Sequence, residues 1–171
     1  MKVHPVTLLC VCLFLLLCGC GVAKKPLAPP VPGQPETGGE ALDIASFSFW
    51  QTASFAGDCF RLELIREEKG TRVCAEELFS GGRVVDTVIR DGVLEQLGSL
   101  VGNCRVDRWD GFDRSSSRVS DGSSFTLAIT LADGGTISAH GNNAFPDNYA
   151  EVYAAVRALY NDLMEQYGPH G

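Results

Sequence analysis

The chain has 171 residues, 45% of them apolar and 20% charged, which suits one globular domain with accessories. It carries 14 basic and 21 acidic side chains, and from Cys20 onward the basic count falls to 13, a net charge of −8. Such an acidic surface repels phosphates and anionic headgroups, which excludes nucleic acid as a partner and a basic patch as the means of membrane contact.

At the N-terminus Lys2 and His4 precede an apolar run of twelve residues, 6–17, broken only by Thr7. A helix needs about 20 residues to cross a bilayer core of about 30 Å, so this run fits the apolar region of a signal peptide instead. Leu17-Cys18-Gly19-Cys20 follows. It resembles the lipobox of bacterial lipoproteins: an aliphatic residue, two small residues and a cysteine. Cys18 at the second small position is less usual there than Ala or Ser. The resemblance implies that residues 1–19 are a signal peptide and that Cys20 carries a diacylglyceryl group. It also implies a chain held on the extracytoplasmic face of a cell membrane.

Residues 21–40 hold five of the eight prolines and no aromatic residue. A segment of this kind buries too little apolar surface to offset its ordering entropy, and reads as a disordered stalk. The linker is assigned to residues 20–42. In polyproline II conformation, at about 3.1 Å per residue, twenty residues reach roughly 60 Å.

The domain is expected over 43–167. Residues 43–49 suggest a short leading strand. Residues 59–66 alternate, with Phe60, Leu62 and Leu64 on one face, as a half-buried strand does. With 71–79 and 83–89 they predict an antiparallel meander whose first turn is Lys69-Gly70. Asp91 caps a helix whose apolar residues are Val93, Leu94, Leu97, Leu100 and Val101, closed by Asn103. A strand is expected over 104–109, a polar loop over 110–123, and a hairpin from 124–132 and 136–140. Asn148 and Glu151 have the spacing of a capping box for a last helix with an apolar stripe from Tyr149 to Leu163. The fold class is α+β: an antiparallel sheet with two helices on one face, in the order strands, helix, strands, helix.

Four segments of the last third carry a further resemblance. They are Trp109-Asp110-Gly111-Phe112, Asp121-Gly122-Ser123-Ser124-Phe125, Asp133-Gly134-Gly135-Thr136-Ile137-Ser138-Ala139, and Gly141-Asn142-Asn143-Ala144-Phe145-Pro146-Asp147-Asn148-Tyr149. Together they resemble an uncharacterised domain of lipoproteins and other envelope proteins of anaerobic, mostly Gram-positive bacteria. The resemblance spans roughly residues 45–165. It implies a cell-surface location and no particular activity.

The candidate binding residues are Trp109, Asp110, Phe112, Asp113, Asp121, His140, Asn142 and Asn143. Aromatic faces beside Asn and Asp side chains combine stacking with directional hydrogen bonds, which suits a sugar or a peptide. The same residue types also make turns and bond their own backbone. No nucleophile elbow or paired-carboxylate context marks an enzyme, and no cofactor or metal is expected. The three cysteines of the domain leave two readings open. Cys104 bridges Cys59 or Cys74, or all three stay reduced. The expected role is a binding module for an envelope protein or glycan. The alternatives are an accessory lipoprotein docked on an envelope complex, and an unrecognised hydrolase.

Overall fold

A computed structural model describes residues 38–53, 59–79, 82–90, 92–117 and 122–169, all within one compact unit. The signal peptide, Cys20, most of the linker, Asp91 and Asp121 lie outside the described residues.

Seven strands form one sheet: β1 (Ile44–Ala53), β2 (Phe60–Glu67), β3 (Gly70–Glu77), β4 (Val84–Ile89), β5 (Phe112–Ser115), β6 (Ser123–Leu131) and β7 (Thr136–Asn142). Helix α1 (Val93–Asn103) lies between β4 and β5 in the chain, and α2 (Tyr149–Tyr167) ends it. The order across the sheet is β4-β3-β2-β1-β6-β7-β5. The α+β class therefore holds, but the sheet is mixed. Six strands run antiparallel, while β5 pairs parallel with β7.

Period-two alternation sorts the side chains. Phe47, Phe49 and Gln51 of β1 lie level with Leu64, Leu62 and Phe60 on one side and Ile129, Leu127 and Phe125 on the other. The same row set continues through Val73, Ala75, Val85 and Ile89, and through Ile137 and Ala139. All of these are buried, and all but Gln51 share one core cluster with Leu94, Leu97 and Val101 of α1 and Val152, Val156, Tyr160 and Leu163 of α2. Gln51 is polar, yet only 5% exposed. Its Oε1 accepts a 2.6 Å hydrogen bond from the Tyr149 hydroxyl, which meets the cost of burying it.

Several local expectations give way to the structure. β1 has ten residues and lies in the middle of the sheet, where the sequence suggests a short leading strand. The β2–β3 turn is Glu68-Lys69, with Glu67 opposite Gly70. Cys74 therefore faces Glu63. Residues 104–109 are no strand. Arg105 takes a left-handed conformation (φ 53°), and Val106–Trp109 follow as one 3-10 turn. Val106 and Trp109 are both buried, at the three-residue spacing of that helix rather than the two of a strand. The expected loop 110–123 contains β5. Asn148 has φ 61° and makes no side-chain cap bond; its carbonyl accepts from Val152 N–H.

Gly98 and Gly102 weaken α1 by propensity but serve its packing. Both are buried, and the chain before β1 lies against them, with Leu42 N–H donating to the Gly98 carbonyl at 3.1 Å. A methyl group on Gly98 would collide with the Leu42 carbonyl oxygen. Gly98→Ala gains about 1 kcal/mol of helix propensity. The collision outweighs it, so a net loss of about 1–3 kcal/mol is expected, read as a lower urea midpoint.

Cys59, Cys74 and Cys104 are free thiols, so the disulfide of Cys104 with Cys59 or Cys74 is not present. Cys74 lies on the sheet face away from the core, level with Glu63 and Asp86, while Cys104 follows α1 and packs against the core. The sheet separates them. Cys59 is buried, and its sulfur accepts from Ala53 N–H at 3.0 Å. Burial pushes the Cys74 and Cys104 thiols up, with Glu63 adding at Cys74 and Glu151 at Cys104. A raised thiol holds less thiolate at any mildly alkaline pH, so both should alkylate more slowly than free cysteine, as peptide mass mapping would show.

Candidate functional site

The expected binding residues part company in the structure. Trp109 is 3% exposed. Its ring stacks on Tyr149 at 5.9 Å and meets Phe125 edge-on at 6.0 Å, and its indole N–H donates to the Asp147 carbonyl at 3.1 Å. The faces that would stack on a ligand are occupied, so Trp109 is a core residue. Phe112 is half-buried beside Phe125, with the Arg114 guanidinium 5.3 Å from its ring. The Asp110 carboxylate accepts from Ser138 N–H at 2.9 Å and secures the start of β7. Asn143 has φ 51°, donates its backbone N–H to Ser123 and directs its side-chain amide to the Ser116 carbonyl at 3.5 Å. These polar groups bind the loops to the sheet.

Asp113, His140 and Asn142 have a different setting. The parallel β5–β7 pairing sets Asp113 level with His140, and the His140 Nδ1 lies 3.2 Å from the Asp113 carboxylate. Both are exposed, as is Asn142. All three belong to the alternate set of positions that faces away from the helices.

That face is open. In every strand its residues are half-buried or exposed, and no described helix packs on it. One row crosses all seven strands: Val84, Glu76, Arg61, Trp50, Thr126, His140 and Asp113. At about 4.8 Å between strands, Trp50 to Asp113 spans about 14 Å. Trp50 stands near its middle, 46% exposed. The Arg61 guanidinium lies 5.8 Å from the Trp50 ring and forms a 2.6 Å ion pair with Glu63. The Glu63 hydrogen bond holds the Arg61 pKa above its ordinary value. Beside this row Thr52 and Ser124 share a 2.6 Å hydroxyl contact, and the Ser48 hydroxyl donates to Glu63 at 3.5 Å.

The surface thus offers an aromatic ring, a fixed guanidinium–carboxylate pair and rows of hydroxyls along one face of the sheet. Trp50, Arg61 and Thr126 are absent from the sequence-derived site. The signal for Trp50 lies in the alternation itself, because Phe47 and Phe49 share one face and Trp50 falls on the other. Among the described residues no three His, Cys, Asp or Glu side chains converge to hold a metal ion.

No family model and no curated protein matches this chain. The functional reading therefore rests on its own residues.

Two substitutions separate core from surface. Trp109→Ala should cost about 3–5 kcal/mol in urea unfolding, as removal of a packed aromatic does. His140→Ala should stay within about 0.5 kcal/mol of wild type, as exposed positions do.

Proposed function

We propose that the chain is an extracytoplasmic lipoprotein, anchored through diacylglyceryl-Cys20, whose domain binds an envelope glycan or protein on the open face of its sheet. The observation that carries this reading is Trp50, a large aromatic left 46% exposed on a face that no described helix covers. Indole buries extensive apolar area and stacks on flat partners, including the apolar face of a sugar ring. Arg61, Glu63 and the Ser and Thr rows add directional hydrogen bonds around it. A sheet face suits an extended chain lying across it, whereas an enclosed cavity suits a small molecule. No described helix is long and apolar enough to cross a membrane, and the anchor in this reading is the lipid alone. Two or three acyl chains on one cysteine give durable retention where a single chain gives marginal binding.

Two measurements test the two parts. Radiolabelled palmitate fed to cells should enter the wild-type chain and be absent from Cys20→Ala, which should leave the membrane fraction; labelled Cys20→Ala would refute the anchor. The full chain should be retained on native envelope material. Trp50→Ala, shown by circular dichroism to be folded, should lose about 2 kcal/mol or more of that binding, as truncation of a central aromatic anchor does. Equal retention of both would sink the open face as the binding surface.

A further inference from the structure

The two edges of the sheet differ. β5 is four residues long and carries Asp113 and Arg114, features that blunt an edge against further pairing. β4 is longer, reads Val84-Val85-Asp86-Thr87-Val88-Ile89, carries one charged residue, Asp86, which is paired inward to Arg72 of β3, and has no proline, lysine, glycine or bulge. Its free edge follows from the ladder. Glu77 N–H donates to the Arg83 carbonyl, so residues 83, 85, 87 and 89 direct their backbone groups to β3. Val84, Asp86 and Val88 then direct theirs outward, beyond the sheet.

A second observation falls on the same place. Val84 and Val88 are 48% and 46% exposed, and Ile65, two strands inward on the row of Val88, is 44% exposed. Unpaired backbone groups flanked by β-branched apolar side chains are the template for an added strand.

We propose that β4 pairs antiparallel with β4 of a second copy of this chain, joining two sheets into one. Residues directly opposite in such a pair lie on the same face, so each must meet a partner of the same parity. Two registers near the strand centre satisfy this. One sets Asp86 against Asp86 of the other copy, two carboxylates each already bonded to its own Arg72, and brings no cation of the other copy beside them. The other is centred on Thr87. It sets Asp86 against Val88 and Val84 against Arg90, with Arg90 diagonal to Asp86. On the helix side it sets Val85 against Ile89 and Thr87 against Thr87. This Thr87-centred register complements itself in charge and in apolar contact, and its contacts occur twice by symmetry. Such self-complementarity favours a second copy over an unrelated strand.

Sedimentation velocity of the full chain in mild detergent, over a wide concentration range, tests the pairing. The wild type should populate a dimer as concentration rises. Two lysine variants on the same face should then diverge. Val84→Lys sets a cation against Arg90 of the other copy and should weaken the dimer about tenfold. Val88→Lys sets a cation against Asp86 and should keep it. Val88→Pro removes an outward N–H without touching the β3 ladder and should also weaken it about tenfold or more. A wild type that stays monomeric overturns the proposal. So does a dimer indifferent to Val84→Lys, or one that both lysine variants weaken alike, since simple apolar adhesion would behave that way.

Discussion

The pairing of β1 with β6 holds the rest of the structure together. Without β1 the sheet would be two separate pieces, a β2-β3-β4 meander and a β6-β7-β5 group. Residues about 75 positions apart meet along this ladder, as in Phe49 with Leu127 and Gln51 with Phe125. Such contacts carry a large loop-closure entropy, which the buried rows of both pieces must offset. Register is the critical quantity. A slip of one residue would turn Phe49 outward and Trp50 into the core. The Gln51 amide, bonded to Tyr149 of α2, opposes that slip because it finds its partner in one register only.

The elements that alternate strongly were legible. β2, β3 and β4, the β6–β7 hairpin and both helices follow from period and composition. What was not legible depends on long-range pairing or on left-handed residues. β5 is four residues of mixed polarity that become a strand only because β7 lies beside them. Arg105 and Asn148 leave the common backbone regions without glycine, one to start a 3-10 turn and the other to enter α2. The expected capping box at Asn148 requires an extended cap residue. A left-handed one turns the side chain away, and its backbone carbonyl accepts the first bond of α2 without help from the side chain.

The candidate site was half legible for a related reason. Aromatic and amide residues near chain turns serve a ligand or their own loops, and composition does not distinguish the two. Here Trp109, Asp110 and Asn143 commit their groups to Asp147, Ser138, Ser116 and Ser123. The domain has two tryptophans, and they lie on opposite faces of the sheet. Trp109 sits among Tyr149 and Phe125 beneath the helices, and Trp50 stands on the opposite face beside Arg61. Sequence context suggests a ligand for Trp109, which lies among Asp and Gly. The 3-10 turn Val106–Trp109 reverses that suggestion by burying the ring, whereas Trp50 falls on the outer face because alternation along β1 sets it opposite Phe47 and Phe49.

The same division bears on how the domain is presented. Residues 40–42 reach β1 along α1, where Gly98 and Gly102 lack the side chains that would block them. The described chain therefore enters on the helix layer. Its backbone bond to Gly98 fixes that approach in a way that side-chain packing alone would not. The open face lies on the other side of the sheet from this entry. A partner lying across Trp50, Thr126 and His140 would meet neither the entering chain nor the helices. The glycines that cost α1 intrinsic stability thus keep residues 40–42 on the helix layer, away from the face proposed to bind.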